Sequence, residues 1–321
     1  MPEAYIIEAK RTPVGRRKGA LASTHPADMG AHAIRAALGD HVDPGAVDDV
    51  VFGCLDAVGA QAGNIARTCW LAAGLPEHVP GTTVDRQCGS SQQAVHFAAQ
   101  GVMSGTQDLV IAGGVQNMSQ IPIAYAMVAA QALGQTDPFS GSTGWVERYG
   151  TTPINQFNSA EMIAEKWEIG RDALEAFAYR SHMRALHAQD EGRFDREIAP
   201  IGDMNIDEGP RRGTTIEKMA SLNTVMEGGR HSAAACSQIS DGAAALLIAS
   251  EQAVRDHGLT PRARVHHMSV RGADPVWMLT APIPATRHAL DRAGMSLGDI
   301  DLVEINEAFS SQYLACEKVL E

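Results

Sequence analysis

Aromatic residues are scarce: Trp, Tyr and Phe together make up 5% of the 321 residues. A core with so few rings must be filled by small and aliphatic side chains, which let helices and sheets approach closely, as layered α/β folds require. Basic residues are also outnumbered, with 26 Lys and Arg against 38 Asp and Glu and a formal net charge of −12. A field of that sign repels nucleic acid and anionic membrane surfaces, so neither is expected as a partner. An anionic substrate would need a local basic patch. No segment approaches the roughly 20 apolar residues of a membrane-spanning helix. The opening MPEAYIIEAKRTPVG has no long apolar run or cleavage site, so it is not a secretory signal and a cytoplasmic location is expected. The five cysteines, Cys54, Cys69, Cys88, Cys236 and Cys316, form no CxxC pair, and no HxxxH or HExxH occurs. A metal site is therefore not expected, and the cysteines read as reduced, mostly buried thiols.

What is present suits a soluble globular chain with room for two or three domains: 45% hydrophobic and 20% charged residues. AYIIEA (4–9), VDDVVFGCL (47–55), DLVIAGGVQ (108–116) and DGAAALLIAS (241–250) read as apolar strands. Residues 28–38 and 63–73 have helical spacing. Strand and helix alternating around unbroken apolar strands predict a parallel or mixed sheet covered on both faces. Residues 119–235 carry most of the charge and helical segments such as SAEMIAEKW and DALEAFAYRSHMRALHAQ, which mark an inserted helical loop domain. The expected division is an N-terminal unit of 1–118 plus 236–250, a loop domain of 119–235, and a C-terminal unit of 251–321.

The last unit looks like the first. AIRAALGDHVDPGAVDDVVFGC (33–54) lies on ATRHALDRAGMSLGDIDLVEIN (285–306), each reading helix, turn with Gly, acidic pair, apolar strand. The first copy runs on through further helices and strands to Gln116, whereas the sequence stops soon after Asn306. The second unit therefore reads as unfinished, ending in the helical EAFSSQYLACEKVLE.

Cys88 carries the sharpest chemical signal. It follows the extended TTVDRQ and opens a helical stretch, GSSQQA. A thiol at a helix N-terminus feels the positive end of the dipole, which favours the nucleophilic thiolate. Gly89 would let a substrate approach the backbone, and Ser90 and Ser91 could cap. The twelve histidines offer no obvious base; His231 and the strand-like His266-His267 read as surface or structural residues. Asn306 ends the apolar IDLVEI, where α/β folds place functional groups; it suits an oxyanion donor or a helix N-cap equally. Ser237, in SQISDGAAALL, could touch a ligand or form a turn. Arg211-Arg212, between Gly209-Pro210 and Gly213, is the available local basic patch for a phosphate-bearing ligand.

Four blocks in order, VDRQCGSSQQA, GGVQNMS, SQISDGAAALL and VEINEAF, resemble the thiolase family over essentially the whole chain, and in particular the actinobacterial thiolases of steroid and fatty-acid breakdown. The resemblance implies two duplicated α/β units in an α-β-α-β-α layering with an inserted helical loop domain, the second unit here incomplete. It implies a thiolase that cleaves 3-ketoacyl-CoA to acetyl-CoA and a shortened acyl-CoA, or runs the reverse condensation. Cys88 would be the nucleophile and Asn306 would hold an oxyanion-hole water. Ser237 would meet the pantetheine arm, and Arg211 would lie near the CoA nucleotide. Met118, Gln156 and Phe309 would contact substrate. Asn155-Gln156 stands where short-chain members usually carry His-Met, which points to a bulkier acyl group. Coenzyme A is then a substrate, no cofactor is needed, and a homodimer or homotetramer is expected. The family's Gly-His-Pro segment and second catalytic Cys lie beyond the Asn-Glu-Ala-Phe block and are not in this sequence. The alternative reading is therefore a CoA-binding protein of thiolase fold without turnover.

Overall fold

The structure, a computed structural model, describes residues 2–320. The chain forms two compact units. The first gathers the N-terminal residues through Leu133 with Gln189–Gly209 and Gln238–Val265; the second gathers Gly134–Ala188, Pro210–Ser237 and the residues from His266 onward. Residues 119–133 and 189–209, which the sequence places with the loop domain, thus pack in the first unit. The carboxylate of Asp56 accepts the Ala124 and Ala126 N–H groups at 2.8 and 2.9 Å. Arg11 grips Asp207 with two parallel hydrogen bonds of 2.7 and 3.0 Å and Glu197 with a third of 2.8 Å, the strong bidentate geometry of guanidinium and carboxylate.

One mixed sheet organises the first unit. Its strands are β1 (Ala4–Arg11), β2 (Gly15–Arg16), β3 (Asp49–Gly53), β4 (Gly81–Val84), β5 (Leu109–Asn117), β6 (Ser240–Ser250) and β7 (Ala263–Arg264), in the order β4-β3-β5-β6-β1-β7 with β2 beside β6. β3 runs parallel to β4 and β5, while β6 is antiparallel to β5 and β1. β5, LVIAGGVQN, is buried along almost its whole length, as a strand covered on both faces must be. Helix α1 (Pro26–Leu38) is started by Pro26 at its first position and by His25, whose side chain caps the Ala27 N–H. It buries Met29, Ile34 and Leu38 with Phe52 of β3, Trp70 of α2 (Ile65–Ala72), Ile111 of β5 and Leu247 of β6. Each such side chain contributes about 1.5–3 kcal/mol on leaving water.

Helix α3 (Ser90–Met103) follows β4 and lies against β3 and β5 at very short range. A Cβ on Gly53 would sit 2.3 Å from the Ser91 nitrogen. One on Gly114 would sit 2.1 Å from the Ser91 Oγ, and one on Gly113 would sit 2.0 Å from the Ala244 carbonyl oxygen. Only glycine fits where strand backbone meets both a helix start and a paired strand. The short helices α4 (Tyr125–Ala132) and α9 (Glu251–Asp256) complete this unit.

The second unit is helical: α5 (Thr143–Tyr149), α6 (Gln156–Lys166), most of α7 (Arg171–Asp190), α8 (Ile216–Ala220), α10 (Pro282–Ala293) and α11 (Ser310–Leu320). Its core joins Ile163, Ala164, Ile169, Leu174, Ala235 and Ala315. The repeat seen in the sequence is visible locally. α1, the 3-10 turn Pro44–Ala46 and β3 correspond to α10, the 3-10 turn Leu297–Asp299 and the stretch after it. The final member differs: IDLVEI forms no strand, and Leu302 and Val303 are 91% and 67% exposed. Apolar composition alone does not make a strand; a neighbour must take up its backbone groups, and no described strand lies alongside. His266-His267 likewise falls after β7, outside any strand.

Gly113→Ala is expected to force β5 and β6 apart and lower the unfolding free energy by about 1–3 kcal/mol, read as a lower midpoint in urea at unchanged slope.

Candidate active site

The parallel strands β3, β4 and β5 end together, and the loops at their carboxyl ends carry Cys88 and Met118, the end of the sheet where α/β folds generally place functional groups. After β4 the chain makes one tight turn. The Asp85 carboxylate accepts the Gln87 N–H at 2.8 Å, the Ser90 hydroxyl accepts the Arg86 N–H at 2.8 Å and donates to the Gln87 carbonyl at 2.5 Å. Ser90 therefore braces the turn instead of capping the helix, whose N-cap, Gly89, receives no side-chain hydrogen bond. Gln87 is held at φ +49°, a conformation uncommon for a residue with a Cβ and of the kind that clusters at functional sites. The next residue is Cys88.

Cys88 is the one exposed cysteine of the five. Burial pushes the Cys54 and Cys69 thiols up to about 12 and the Cys236 thiol up to about 11, and it raises Cys316 as well. Those four are held in the unreactive protonated form at neutral pH, as expected of structural thiols.

Met118 stands at the end of β5, half-buried, and is fixed by its neighbours. The side chain of Asn117, fully buried, donates to the Leu21 and Thr24 carbonyls at 3.2 and 2.9 Å, and its backbone N–H donates to Gln61 at 2.8 Å. Ser119 donates through its backbone N–H and its hydroxyl to the buried Asp241, at 2.9 and 2.6 Å. Each buried polar group here is paired, and this rigidifies the loop.

The other candidates lie in the second unit. Gln156 is the first residue of α6, half-buried, and Asn155 caps that helix by accepting the Asn158 N–H at 2.9 Å. Ser237 is exposed and donates its backbone N–H to the Ala308 carbonyl at 2.9 Å, beside an antiparallel bridge between Cys236 and Phe309. The structure thus joins the Ser237 and Asn306–Phe309 blocks, distant in sequence. Phe309 is buried, edge-on to Phe157 and to His231 at 5.6 Å each. Asn306 is exposed and lies four residues before α11, so the N-cap reading does not hold for it. Glu307 accepts the Ser181 hydroxyl at 2.7 Å. Arg211 is exposed; its N–H donates to His182 Nδ1 at 3.3 Å. Burial and the Arg211 charge hold His182 below its ordinary value, leaving that nitrogen free to accept.

Sequence reasoning passed over one half-buried group. Oε1 of Glu161, on α6, accepts the backbone N–H groups of Arg230 and His231 at 2.8 and 2.9 Å and the His231 Nδ1 at 2.7 Å. Burial pushes the Glu161 carboxyl up, but the donors from His231 and Arg230 outweigh it, and the group titrates below its ordinary range. Among the described residues there is no cluster able to hold a metal ion and no helix long and apolar enough to cross a membrane.

The family model described as Thiolase, N-terminal domain, matches residues 4–252, and that described as Thiolase, C-terminal domain, matches residues 259–321. A steroid 3-ketoacyl-CoA thiolase of Mycobacterium tuberculosis is 57% identical across the whole chain, which spans 80% of that protein. A 3-oxoadipyl-CoA/3-oxo-5,6-dehydrosuberyl-CoA thiolase of Escherichia coli is 39% identical over 98% of the chain and 82% of its own length. The crystal structure of the Bacillus anthracis acetyl-CoA acetyltransferase superposes with a TM-score of 0.86 at 35% identity, covering 100% of this chain and 84% of that one.

Two outcomes follow. In the native protein a thiol reagent should label Cys88 alone, and Cys88→Ala should leave no fast-reacting thiol; peptide mapping reads this directly. A carboxylate titrating below its ordinary range stabilises the fold above that range, and the contribution is lost as pH falls through the lowered value. Glu161→Gln should therefore cost about 1–3 kcal/mol at neutral pH, with the gap to wild type closing in acid, measured by urea unfolding at pH 7 and pH 4.

Proposed function

Because this chain belongs to the thiolase family and has its fold, we propose that Cys88 is the nucleophile through which it exchanges acyl groups with coenzyme A. The reaction is that of a 3-ketoacyl-CoA thiolase. The observation that carries the assignment of Cys88 is its setting: one exposed thiol, on a turn strained at Gln87, at the head of the 14-residue helix α3.

In the proposed sequence the Cys88 sulfur attacks the 3-keto carbon and the C2–C3 bond breaks. The bonding pair passes to C2 of the departing acetyl-CoA. The proton given up by the thiol balances the proton gained at that carbon. Free CoA then attacks the acyl thioester and expels the Cys88 sulfur, splitting one difficult step into two easier ones. The Cys88 backbone N–H serves the oxyanion at the 3-keto oxygen. Asn306, through a water, serves the thioester oxygen on which charge develops as acetyl-CoA leaves. Ser237 contacts the pantetheine arm, Arg211 supplies positive charge for the CoA nucleotide, and Met118, Gln156 and Phe309 form the acyl surroundings. Arg211 is suited to this by its exposure and by a neighbouring His182 that is held neutral.

The relative at 57% identity is named for steroid substrates. With Gln156 opening α6, that supports a bulky 3-ketoacyl group over acetoacetyl. No cofactor is required. The enzyme works as a homodimer or homotetramer in the cytoplasm.

Intact-mass measurement after incubation with a 3-ketoacyl-CoA tests the assignment. An acyl adduct is expected on wild type and none on Cys88→Ala, and Asn306→Ala should slow adduct formation roughly 100-fold. CoA binding without an adduct would support the non-catalytic reading.

A further inference from the structure

Asn306 sits on an irregular stretch of the second unit. Residues 300–307 belong to no helix or strand, and Leu302, Val303 and Asn306 are exposed. An oxyanion donor is effective only if its geometry is fixed before the charge arrives, so something must hold this turn. The Ser237 N–H on the Ala308 carbonyl and the Ser181 hydroxyl on Glu307 tie it from other segments, and further support comes from the residues that follow. Phe309 is buried edge-on to the His231 ring at 5.6 Å. His231 Nε2 lies 2.9 Å from the Ser311 Oγ, and that hydroxyl also lies 3.0 Å from the Ala160 carbonyl. His231 and Ser311 are 1% and 0% exposed.

The ring can serve both neighbours in only one orientation. The ionised Glu161 carboxylate accepts and cannot donate, so Nδ1 carries a proton toward it. Two further donors on the same Glu161 oxygen, the N–H groups of Arg230 and His231, hold that carboxylate in place. The imidazole plane is thereby fixed, with Nε2 aimed at Ser311 and the ring perpendicular to that of Phe309.

We propose that His231 is a positioning residue for this reaction: the chain Glu161–His231–Ser311 clamps the start of α11 to α6 and so sets the place of Asn306, five residues before Ser311. His231 touches no reacting atom and acts through Asn306. This rests on the oxyanion role given to Asn306 above. His231 therefore governs the rate of carbon–carbon cleavage more than CoA binding: Arg211 lies on another segment, and Ser237, though tied to the Ala308 carbonyl at 2.9 Å, is exposed and joins the turn through its own backbone N–H.

A double-mutant cycle on the whole protein tests it, reading the single-turnover release of acetyl-CoA from a 3-ketoacyl-CoA together with the Kd for CoA. His231→Asn should slow release roughly 10- to 100-fold, the scale set by small misplacement of a catalytic group. The Kd for CoA should move by no more than about twofold, and in an Asn306→Ala background the same change should cost no more than about twofold further, because coupled residues are non-additive. Ser311→Ala, which preserves the ring and the helix, should show the same pattern at smaller size and carries the cycle if His231→Asn does not fold. If His231→Asn leaves release intact, or slows it by the same factor with and without Asn306, the clamp is purely structural and the inference is overturned while the role of Asn306 stands. If Asn306→Ala alone leaves release intact, the role of Asn306 fails and the inference fails with it.

Discussion

Helix α3 rests on strand backbone, and that close approach governs the geometry of the first unit. Gly53 and Gly114 leave no space for a side chain between β3, β5 and the first turn of the helix. The helix cannot shift along the strands without meeting those backbones, so the preceding turn has a fixed span to cover from Val84 to Ser90. Ser90 and Asp85 close that span with short hydrogen bonds, and Gln87 takes the left-handed conformation that the closure demands. The exposure of Cys88 is the product of packing two residues away. Strain in the loop and rigidity in the sheet are one arrangement seen from two sides.

The second unit solves a similar problem by other means. It has no described sheet to fix its loops, and uses a buried polar chain in its place. A carboxylate on α6 orients an imidazole from the 230–231 loop, which in turn grips the first turn of α11. In such a chain each unpaired member is costly. Here Glu161 Oε1 takes three donors and both ring nitrogens are engaged, while Glu161 Oε2 makes no hydrogen bond and is compensated only by the Arg230 guanidinium 3.6 Å away.

Much of the sheet was legible because β1, β3, β5 and β6 are short unbroken apolar runs bounded by turns, and a strand buried on both faces needs little else to announce itself. The placement of Cys88 before a helix was legible because an extended segment, a cysteine and a small-residue helix start are adjacent in the chain, and the burial of Cys54, Cys69 and Cys316 agrees with the ordinary fate of unpaired thiols. IDLVEI misled for an instructive reason: its composition records a preference for burial, while strand formation depends on a partner that the sequence of the segment does not contain. The Glu161–His231–Ser311 chain was illegible because its members lie 70 and 80 residues apart, and no local spacing relates them. His231 read as a surface or structural histidine; its burial rules out the first.

The sheet order also sets how the protein can be made. β6 lies between β5 and β1, and Ala4 pairs with Ser250. During synthesis the first strand leaves the ribosome long before its neighbour exists, and β5 likewise waits with one side unpaired while the helices of the second unit are added. Such non-local pairing makes folding slow and leaves apolar strand edges open to other chains in the interval. The nascent polypeptide should therefore depend on chaperone protection until about the 250th residue has emerged, after which insertion of β6 joins β5 to β1 and only the short edge strand β7 is left to add.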